Sequence, residues 1–321
     1  MKTKIMFHNN CFDGVASAVV FSDFYQSCVN SSAQLFYKGL AHKAGQIFDE
    51  GMFDGDENVI VDFKYSRSPR LTWWFDHHQS AFLTKDDELH YLTSPDGKAC
   101  GRKFIDPTFR SCTKYIATVV KDLFKYSNPT LSELITWADI IDGALYPDAQ
   151  TAVELNAPAL RLMLVIESTR DERLIESIIR DLRVMSLEEI VKQDYIAAVL
   201  ENYLARHYKA IDVIREHATC KGSVVYFDIS SRDVEGYNKF IPYYLYPDTL
   251  YSVGVSRSPH RSKISVGFNP WAKMPRQHNL ASICEKYGGG GHAVVGAISY
   301  GPEELDKARA VALEVVEQLN S

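Results

Sequence analysis

The sequence of 321 residues has no long run of lysine or arginine, and its formal net charge is −6. Holding a long duplex through its phosphates requires a basic face, so long duplex DNA is not an expected partner. No apolar run reaches membrane-spanning length, and Met1 to Phe7 carries too few apolar residues for a signal peptide. No membrane partner is expected, and the expected location is cytoplasmic. The six cysteines, Cys11, Cys28, Cys100, Cys112, Cys220 and Cys284, are scattered without a CxxC pair. Such usage in a chain of this size points to reduced thiols, not a disulfide framework. A small phosphorylated substrate stays compatible with the acidic balance, because a bound metal ion can supply local positive charge.

What is present suits a globular protein of two ordinary domains, with 46% hydrophobic and 24% charged residues. The most informative stretch runs from Val59 to His78. Val59-Ile60-Val61 ends at Asp62, and Leu71-Thr72-Trp73-Trp74-Phe75 ends at Asp76-His77-His78. Short continuous runs of branched and aromatic residues read as strands buried on both faces, as in parallel sheets. Open α/β sheets place their ligands at the carboxyl ends of such strands. Two carboxylates and two imidazoles brought to one rim suit a hard metal ion. An aspartate after a strand is also a common turn or cap residue, and Asp62 alone allows that reading.

Ile5-Met6-Phe7, then a polar loop from His8 through Asp13-Gly14, then the helical run Val15–Phe21 form the opening of a βαβ unit. His8 and Asp13 read either as site residues or as loop and cap residues. Gln34 to Glu57 accommodates a second βα passage, and Asp86 to Asp106 reads as a long surface connection. Ser111 to Phe124 is helical, with Tyr115, Ile116, Val119, Val120 and Leu123 on one face. Thr130 and Glu133 have capping-box spacing ahead of a helix that carries Asp139 and Asp142. Asp139, between Ala138 and Ile140-Ile141, would be costly to bury unless it binds a cation or accepts hydrogen bonds. Asp142 precedes Gly143 at an expected helix end, where a structural use is as natural.

Ser186 to Glu189 is a second capping box and opens a long, charged helical pattern to about His217, read as an interdomain connector. Beyond Gly222 the texture turns to strands. Leu250–Arg257 and Lys263–Asn269 read as an antiparallel pair turning through Ser258-Pro259-His260-Arg261. The tyrosines of 237–251 suit core or interdomain packing better than base stacking. Gly288-Gly289-Gly290-Gly291-His292 reads as a phosphate-binding loop whose N–H groups and imidazole meet an anion, with a plain flexible loop as the alternative. Arg257 is a second phosphate donor on this reading.

His8…Asp13-Gly14, Asp62, Asp76-His77-His78, Asp139, Ser256-Arg257-Ser258 and Gly289-Gly290-Gly291-His292, in this order, resemble the DHH/DHHA1 phosphoesterase superfamily. The resemblance covers nearly the whole chain and is to the stand-alone, two-domain type of nanoRNase and 3′-phosphoadenosine 5′-phosphate phosphatase. It implies an α/β fold: an N-terminal DHH domain (1–185) with a parallel sheet flanked by helices, a helical linker (186–217), and a smaller α/β DHHA1 domain (218–321). It also implies an active site in the cleft between the domains. The expected cofactor is Mn2+, one or two ions, with Mg2+, Zn2+ or Fe2+ as alternatives. The metal ligands implied are His8, Asp13, Asp62, His77 and Asp139. Asp62, Asp76 and His78 are the implied catalytic residues, with Asp76 orienting a histidine and His78 donating a proton. Arg257, Gly290, Gly291 and His292 would contact substrate. Family members commonly carry two aspartates, one residue apart, before the first-motif glycine; here Cys11 stands at the first of these positions. A thiolate favours zinc or iron over manganese, so Cys11 bears on the second metal position.

The function implied is metal-dependent hydrolysis of phosphodiester or phosphomonoester bonds in short oligonucleotides or small nucleotides. The rival classes are a nucleotide-binding protein without turnover, on account of Cys11, and a single-strand exonuclease; an inorganic pyrophosphatase suits the N-terminal half but not the glycine-rich motif. A homodimer is compatible with all of them.

Overall fold

The computed structural model describes residues 1–42, 45, 48–234 and 236–321. The chain forms two compact units, one of Met1–Tyr146 with Ala157–Leu200, the other of Pro147–Asn156 with Glu201–Ser321.

The first unit opens with β1 (Lys2–His8), α1 (Phe12–Phe24), β2 (Gln34–Leu40), β3 (Glu57–Val61) and β4 (Leu71–Asp76). It continues through α2 (Lys85–Thr93), β5 (Lys103–Ile105), α3 (Cys112–Phe124) and α4 (Ser132–Asp142). After α5 (Ala149–Glu154), which belongs to the second unit, come α6 (Pro158–Ser168) and α7 (Glu172–Asp181). The five strands form one sheet in the order β2-β1-β3-β4-β5, and every pairing is parallel. Val59, Ile60 and Val61 have no exposure at all, as two-sided burial of a parallel strand demands. Trp73 and Trp74 show how the pleat divides the core. Trp73 meets Phe21 and Phe24 of α1, whereas Trp74 packs with Tyr65, Phe82 and Tyr91 on the other face. Each indole N–H finds a partner, Glu57 Oε2 at 3.2 Å and the Phe63 carbonyl at 2.8 Å.

α1 is apolar all round, so it belongs in the middle of a layer. Twelve of its residues are buried, and it packs on β1, α3, α4, α6 and α7. Gly14 is what lets it start so close to β1: a Cβ there would lie 2.2 Å from the His8 carbonyl oxygen.

Several expectations are corrected. In Gln34–Glu57 the strand forms, but the only helical segment among the described residues is a single 3-10 turn, Glu50–Met52; positions 43, 44, 46 and 47 lie outside the described residues. The 86–106 stretch is not a plain connection: Thr84 and Asp87 form a capping box that starts α2, and β5 adds the fifth strand. Three β residues between turn-rich flanks are too few to show a period. Thr130 and Glu133 make no capping box; Asn128 accepts from the Thr130 N–H and starts a 3-10 turn that leads into α4. Leu123, expected on the buried face of α3, is 61% exposed. The capping box at Ser186 and Glu189 is present, but its helix α8 (Leu187–Ile190) stops before α9 (Asp194–His217) begins. The boundary between the units falls inside α9, at Leu200 and Glu201.

In the second unit β6 (Ala218–Lys221), β7 (Val224–Asp228), α10 (Ile241–Leu245), β8 (Tyr251–Ser258), β9 (Arg261–Phe268), α11 (Leu280–Glu285), β10 (Gly290–His292), β11 (Val295–Tyr300) and α12 (Leu305–Leu319) follow. They build a six-stranded sheet in the order β10-β11-β9-β8-β7-β6, parallel only between β7 and β8. Val253, Val255, Ile264, Val266 and Ile298 form its core with Ala308, Ala312 and Val315 of α12. Tyr243 and Tyr251 are buried, Tyr243 bonding Ser252 Oγ at 2.8 Å, so these two tyrosines of the segment are packing material, whereas Tyr237, Tyr244 and Tyr246 are half-buried. No helix among the described residues is long and apolar enough to cross a membrane.

Replacing Gly14 by alanine gains about 1 kcal/mol of helix propensity. The clash with the His8 carbonyl costs more, about 1–3 kcal/mol. Gly14→Ala is therefore expected to lower the urea unfolding midpoint; an unchanged or raised midpoint contradicts the close approach.

Candidate active site

Because the strands of the first sheet are all parallel, their carboxyl ends share one rim. The order β2-β1-β3 reverses the direction of winding between β1 and β3, the place where such sheets bind ligands. β1 ends there in His8, β3 leads to Asp62, and β4 delivers Asp76, His77 and His78.

Asp62 takes φ 55, a left-handed conformation that aspartate tolerates better than most side chains. Its N–H donates to the Phe75 carbonyl at 2.9 Å, which continues the β3–β4 ladder past the last strand residue and fixes the turn. The two histidines are then aimed by different partners. Asp76 Oδ1 accepts the N–H groups of His77 and His78 at 2.8 and 3.2 Å and lies 2.7 Å from His78 Nδ1. His77 Nδ1 lies 3.2 Å from the Phe109 carbonyl, which can only accept, so the proton sits on Nδ1. His77 Nε2 is left facing Asp62 Oδ1 at 3.4 Å, Asp142 Oδ2 at 3.4 Å and Asp13 Oδ2 at 3.7 Å. On the other side of Asp62, His8 Nδ1 stands 3.6 Å from Oδ2.

Asp13 is held by the start of α3. Its oxygens accept the Cys112 N–H at 2.7 Å and the Thr113 N–H at 3.0 Å, a favourable place for an anion at a helix N-terminus. Asp142 comes from the last turn of α4.

Three groups each bring their ligand atoms within 4.8 Å of one another: His8, Cys11 and Asp62; Asp62, His77 and His78; Asp13, His77 and Asp142. Among the described residues, His8 Nδ1, both oxygens of Asp62 and His77 Nε2 are buried with no hydrogen-bond partner. Buried polar atoms without partners are costly, and four aimed at common points could hold a divalent cation. Oxygen and imidazole ligands suit manganese, magnesium, iron or zinc. The electrostatics agree. Burial, then Asp62 and Asp142, pushes the Asp13 carboxyl well above the usual range. Burial and Asp62 raise Asp142 to about 6. Burial opposes charge on Asp62 too, but His77 and His8 outweigh it and hold that carboxyl low. On His77 burial is outweighed by Asp62, Asp13 and Asp142, which raise it to about 10.

The structure gathers His8, Cys11, Asp13, Asp62, His77, His78 and Asp142, with Asp76 behind them. Asp139 is in none of the three groups; its Oδ1 accepts from Ser111 Oγ at 3.1 Å. The Asp139 carboxylate, expected to need a cation among its apolar neighbours, is met by a hydroxyl, and Asp142, one turn further on, faces His77 Nε2 instead. In the second unit, Gly290–His292 is an edge strand paired with Val295–Ala297, not a loop. Successive N–H groups of a strand point to opposite sides, so this run does not gather adjacent donors on one anion. The glycines have a packing reason as well: Gly291 takes φ 153, and a Cβ there would lie 2.2 Å from the Val295 carbonyl oxygen. Arg257 is exposed on β8, three strands away from β10 in the sheet order, and pairs with Ser262.

Two contributors escaped the sequence reading. The Phe109 carbonyl, which orients His77, has no side-chain signature. His42 lies just past β2, its ring stacked on Phe63 at 4.7 Å and 4.8 Å from the His8 ring. A single histidine in an uninformative stretch is brought to the rim only because β2 lies beside β1.

No family model matches the sequence, and no curated protein is similar to it. Solved structures are. The pGpG-specific phosphodiesterase PggH from Vibrio cholerae has a TM-score of 0.70 at 18% identity, covering 100% of this chain and 99% of its own. The DHH domain of a member of a ribosomal-protein family has a TM-score of 0.58 at 13% identity, over 100% of this chain and 88% of its own. RecJ from Thermus thermophilus, in complex with Mn2+, has a TM-score of 0.50 at 11% identity, over 99% of this chain but 52% of RecJ. The chain therefore shares the α/β fold of these proteins, the fold class that the resemblance implied.

A pH dependence follows from His77. Its folded pKa, about 10, lies above the ordinary 6.5, so in metal-free protein its contribution is fully present below 6.5 and is lost as pH rises through 10. A metal ion must displace that proton, so its affinity rises over the same window. Chemical unfolding with and without Mn2+, from pH 6 upward, is expected to show the metal-dependent increment growing; a flat increment contradicts it.

Proposed function

We propose that the chain is a metal-dependent phosphohydrolase that cleaves phosphodiester or phosphomonoester bonds in short oligonucleotides or small nucleotides. The observation that carries this is the convergence of His8, Cys11, Asp13, Asp62, His77 and Asp142 on the sheet's carboxyl rim, with unpaired buried donor atoms on Asp62, His8 and His77. Support for the substrate class comes from fold neighbours that are a pGpG phosphodiesterase and RecJ.

Asp13, Asp62, His77 and Asp142 would hold one divalent ion, and His8, Cys11 and Asp62 a second. Such an ion supplies Lewis acidity toward phosphoryl oxygens and a hydroxide-like nucleophile at neutral pH. The chain's own residues do the rest. Asp62 is common to both positions and is held rigid by the Phe75 carbonyl. The Phe109 carbonyl keeps His77 Nε2 turned inward. Asp76 fixes His78 by its Nδ1, which leaves Nε2 to donate to a phosphoryl or leaving oxygen; the His78 side chain is 38% exposed and within reach of substrate. His42 and His8 line the neighbouring edge, where a phosphate would lie. Arg257, Gly290, Gly291 and His292 are kept as substrate contacts contributed by the second unit: Arg257 by its exposed guanidinium, Gly290–His292 by the outer edge of β10, which pairs with no further strand among the described residues.

Metal-stripped protein supplied with Mn2+, Mg2+, Zn2+ or Fe2+ is expected to release mononucleotides from short 5′-phosphorylated ribonucleotides or linear dinucleotides, followed by chromatography. Asp62→Asn, which keeps a side chain tolerant of the left-handed backbone, is expected to lower turnover by roughly a hundredfold or more. Wild-type turnover in that variant, or no release with any ion while metal stays bound, overturns the reading. His42→Ala is expected to raise KM about tenfold with kcat little changed, as loss of a phosphate donor would; an unchanged KM removes His42 from the substrate edge.

A further inference from the structure

We propose that the two metal positions are chemically unlike. Cys11 makes the position bounded by His8, Cys11 and Asp62 a site for a thiophilic ion, zinc, ferrous iron or cobalt, while Asp13, His77 and Asp142 keep the other position for a harder ion. The proposal rests on the phosphoesterase reading only in that both place metal at this centre.

Four observations carry it. The ligand atoms of His8, Cys11 and Asp62 lie within 4.8 Å of one another, and the sulfur is the soft member of the set. Asp62 is 1% exposed with both oxygens unpartnered, and His8 Nδ1 is likewise buried and unpartnered. One Asp62 oxygen lies toward His8 and the other toward His77, at 3.6 and 3.4 Å, so one carboxylate serves two positions. Finally, Cys11 occupies the N-cap of α1, at φ −130 and ψ 129, yet makes no side-chain cap hydrogen bond. Aspartate, asparagine or serine is preferred there, and a residue that cannot cap forgoes about 1 kcal/mol. A thiol is a weak acceptor and suits that position poorly. The sulfur lies beside an imidazole and a carboxylate instead.

The chemistry of the two donor sets then differs. Carboxylates and one imidazole bind manganese and magnesium readily, whereas a thiolate with imidazole selects zinc, iron or cobalt. Ligation replaces the S–H bond by a sulfur–metal bond and releases the thiol proton to solvent.

The test is cobalt substitution of the metal-stripped full chain. Co2+ titration is expected to fill the centre and to produce a near-ultraviolet thiolate-to-cobalt charge-transfer band. Cys28, Cys100 and Cys220 are exposed, so the variant and not the band alone makes the assignment. Cys11→Ser is expected to lose both the band and one equivalent of tightly bound Co2+. Cys11→Asp is expected to lose the band, keep the stoichiometry, and shift that position toward Mn2+ in competition with Zn2+. Circular dichroism checks that both variants fold, and the aspartate variant keeps the test open if the serine variant does not. Co2+ bound without the band, or a band that survives in either variant, overturns the proposal and leaves the phosphoesterase reading standing. A wild-type protein that binds no divalent ion overturns both.

Discussion

Asp62 has a 1% exposed side chain, a left-handed backbone and two carboxylate oxygens without hydrogen-bond partners. A residue in that state costs about 1–3 kcal/mol in backbone strain, besides the desolvation of its charge. It persists because everything around it is over-determined. The Phe75 carbonyl holds its N–H, and the fully buried Val59, Ile60, Val61, Trp74 and Phe75 lie in the strands beside it. Two imidazoles, His8 and His77, stand on either side of it. The rest of the N-terminal unit can be understood as the support that keeps this carboxylate in place.

Asp13 shows how closely fold and site are tied. Its carboxylate satisfies two N–H groups at the start of α3 while facing His77. One residue thus anchors a helix that lies far along the chain and turns a carboxyl oxygen toward the rim. Gly14, beside it, allows α1 to begin against the His8 carbonyl. The close approach of β1, α1 and α3 sets the distances among His8, Cys11 and Asp13, and any loosening of that packing is felt at the centre.

The adjacent histidines divide their labour by their partners. A neutral carbonyl holds the proton of His77 on Nδ1 and leaves Nε2 without a hydrogen-bond partner, whereas a carboxylate grips His78 and favours its charged form. Burial works against charge on His78, but Asp76 outweighs it. Identical side chains, adjacent in the chain, thereby sit in different hydrogen-bond settings. The second unit is built differently. Its sheet is sealed by α11 and α12 over a core of valine and isoleucine, and glycines at its β10–β11 edge permit backbone contacts that a Cβ would block.

Much of this was legible in the residues themselves. Continuous apolar runs at 59–61 and 71–75 declare two-sided burial because a strand's side chains alternate and both sets here are apolar. The aspartate and histidines that end those runs fall on the rim for the same local reason. The hairpin at 258–261 and the capping box at 186–189 are equally local and equally readable. What the chain alone did not decide is which of two acids on one helix turns inward. Asp139 and Asp142 are a single turn apart, and only the docking of α4 against α3 gives Asp139 to Ser111 and Asp142 to His77. Nor did it reveal His42, the Phe109 carbonyl or the strand formed by Gly290–His292. Those depend on the order of strands in a sheet and on pairing between distant segments, which are set by three-dimensional packing and leave no period or motif in the residues that take part.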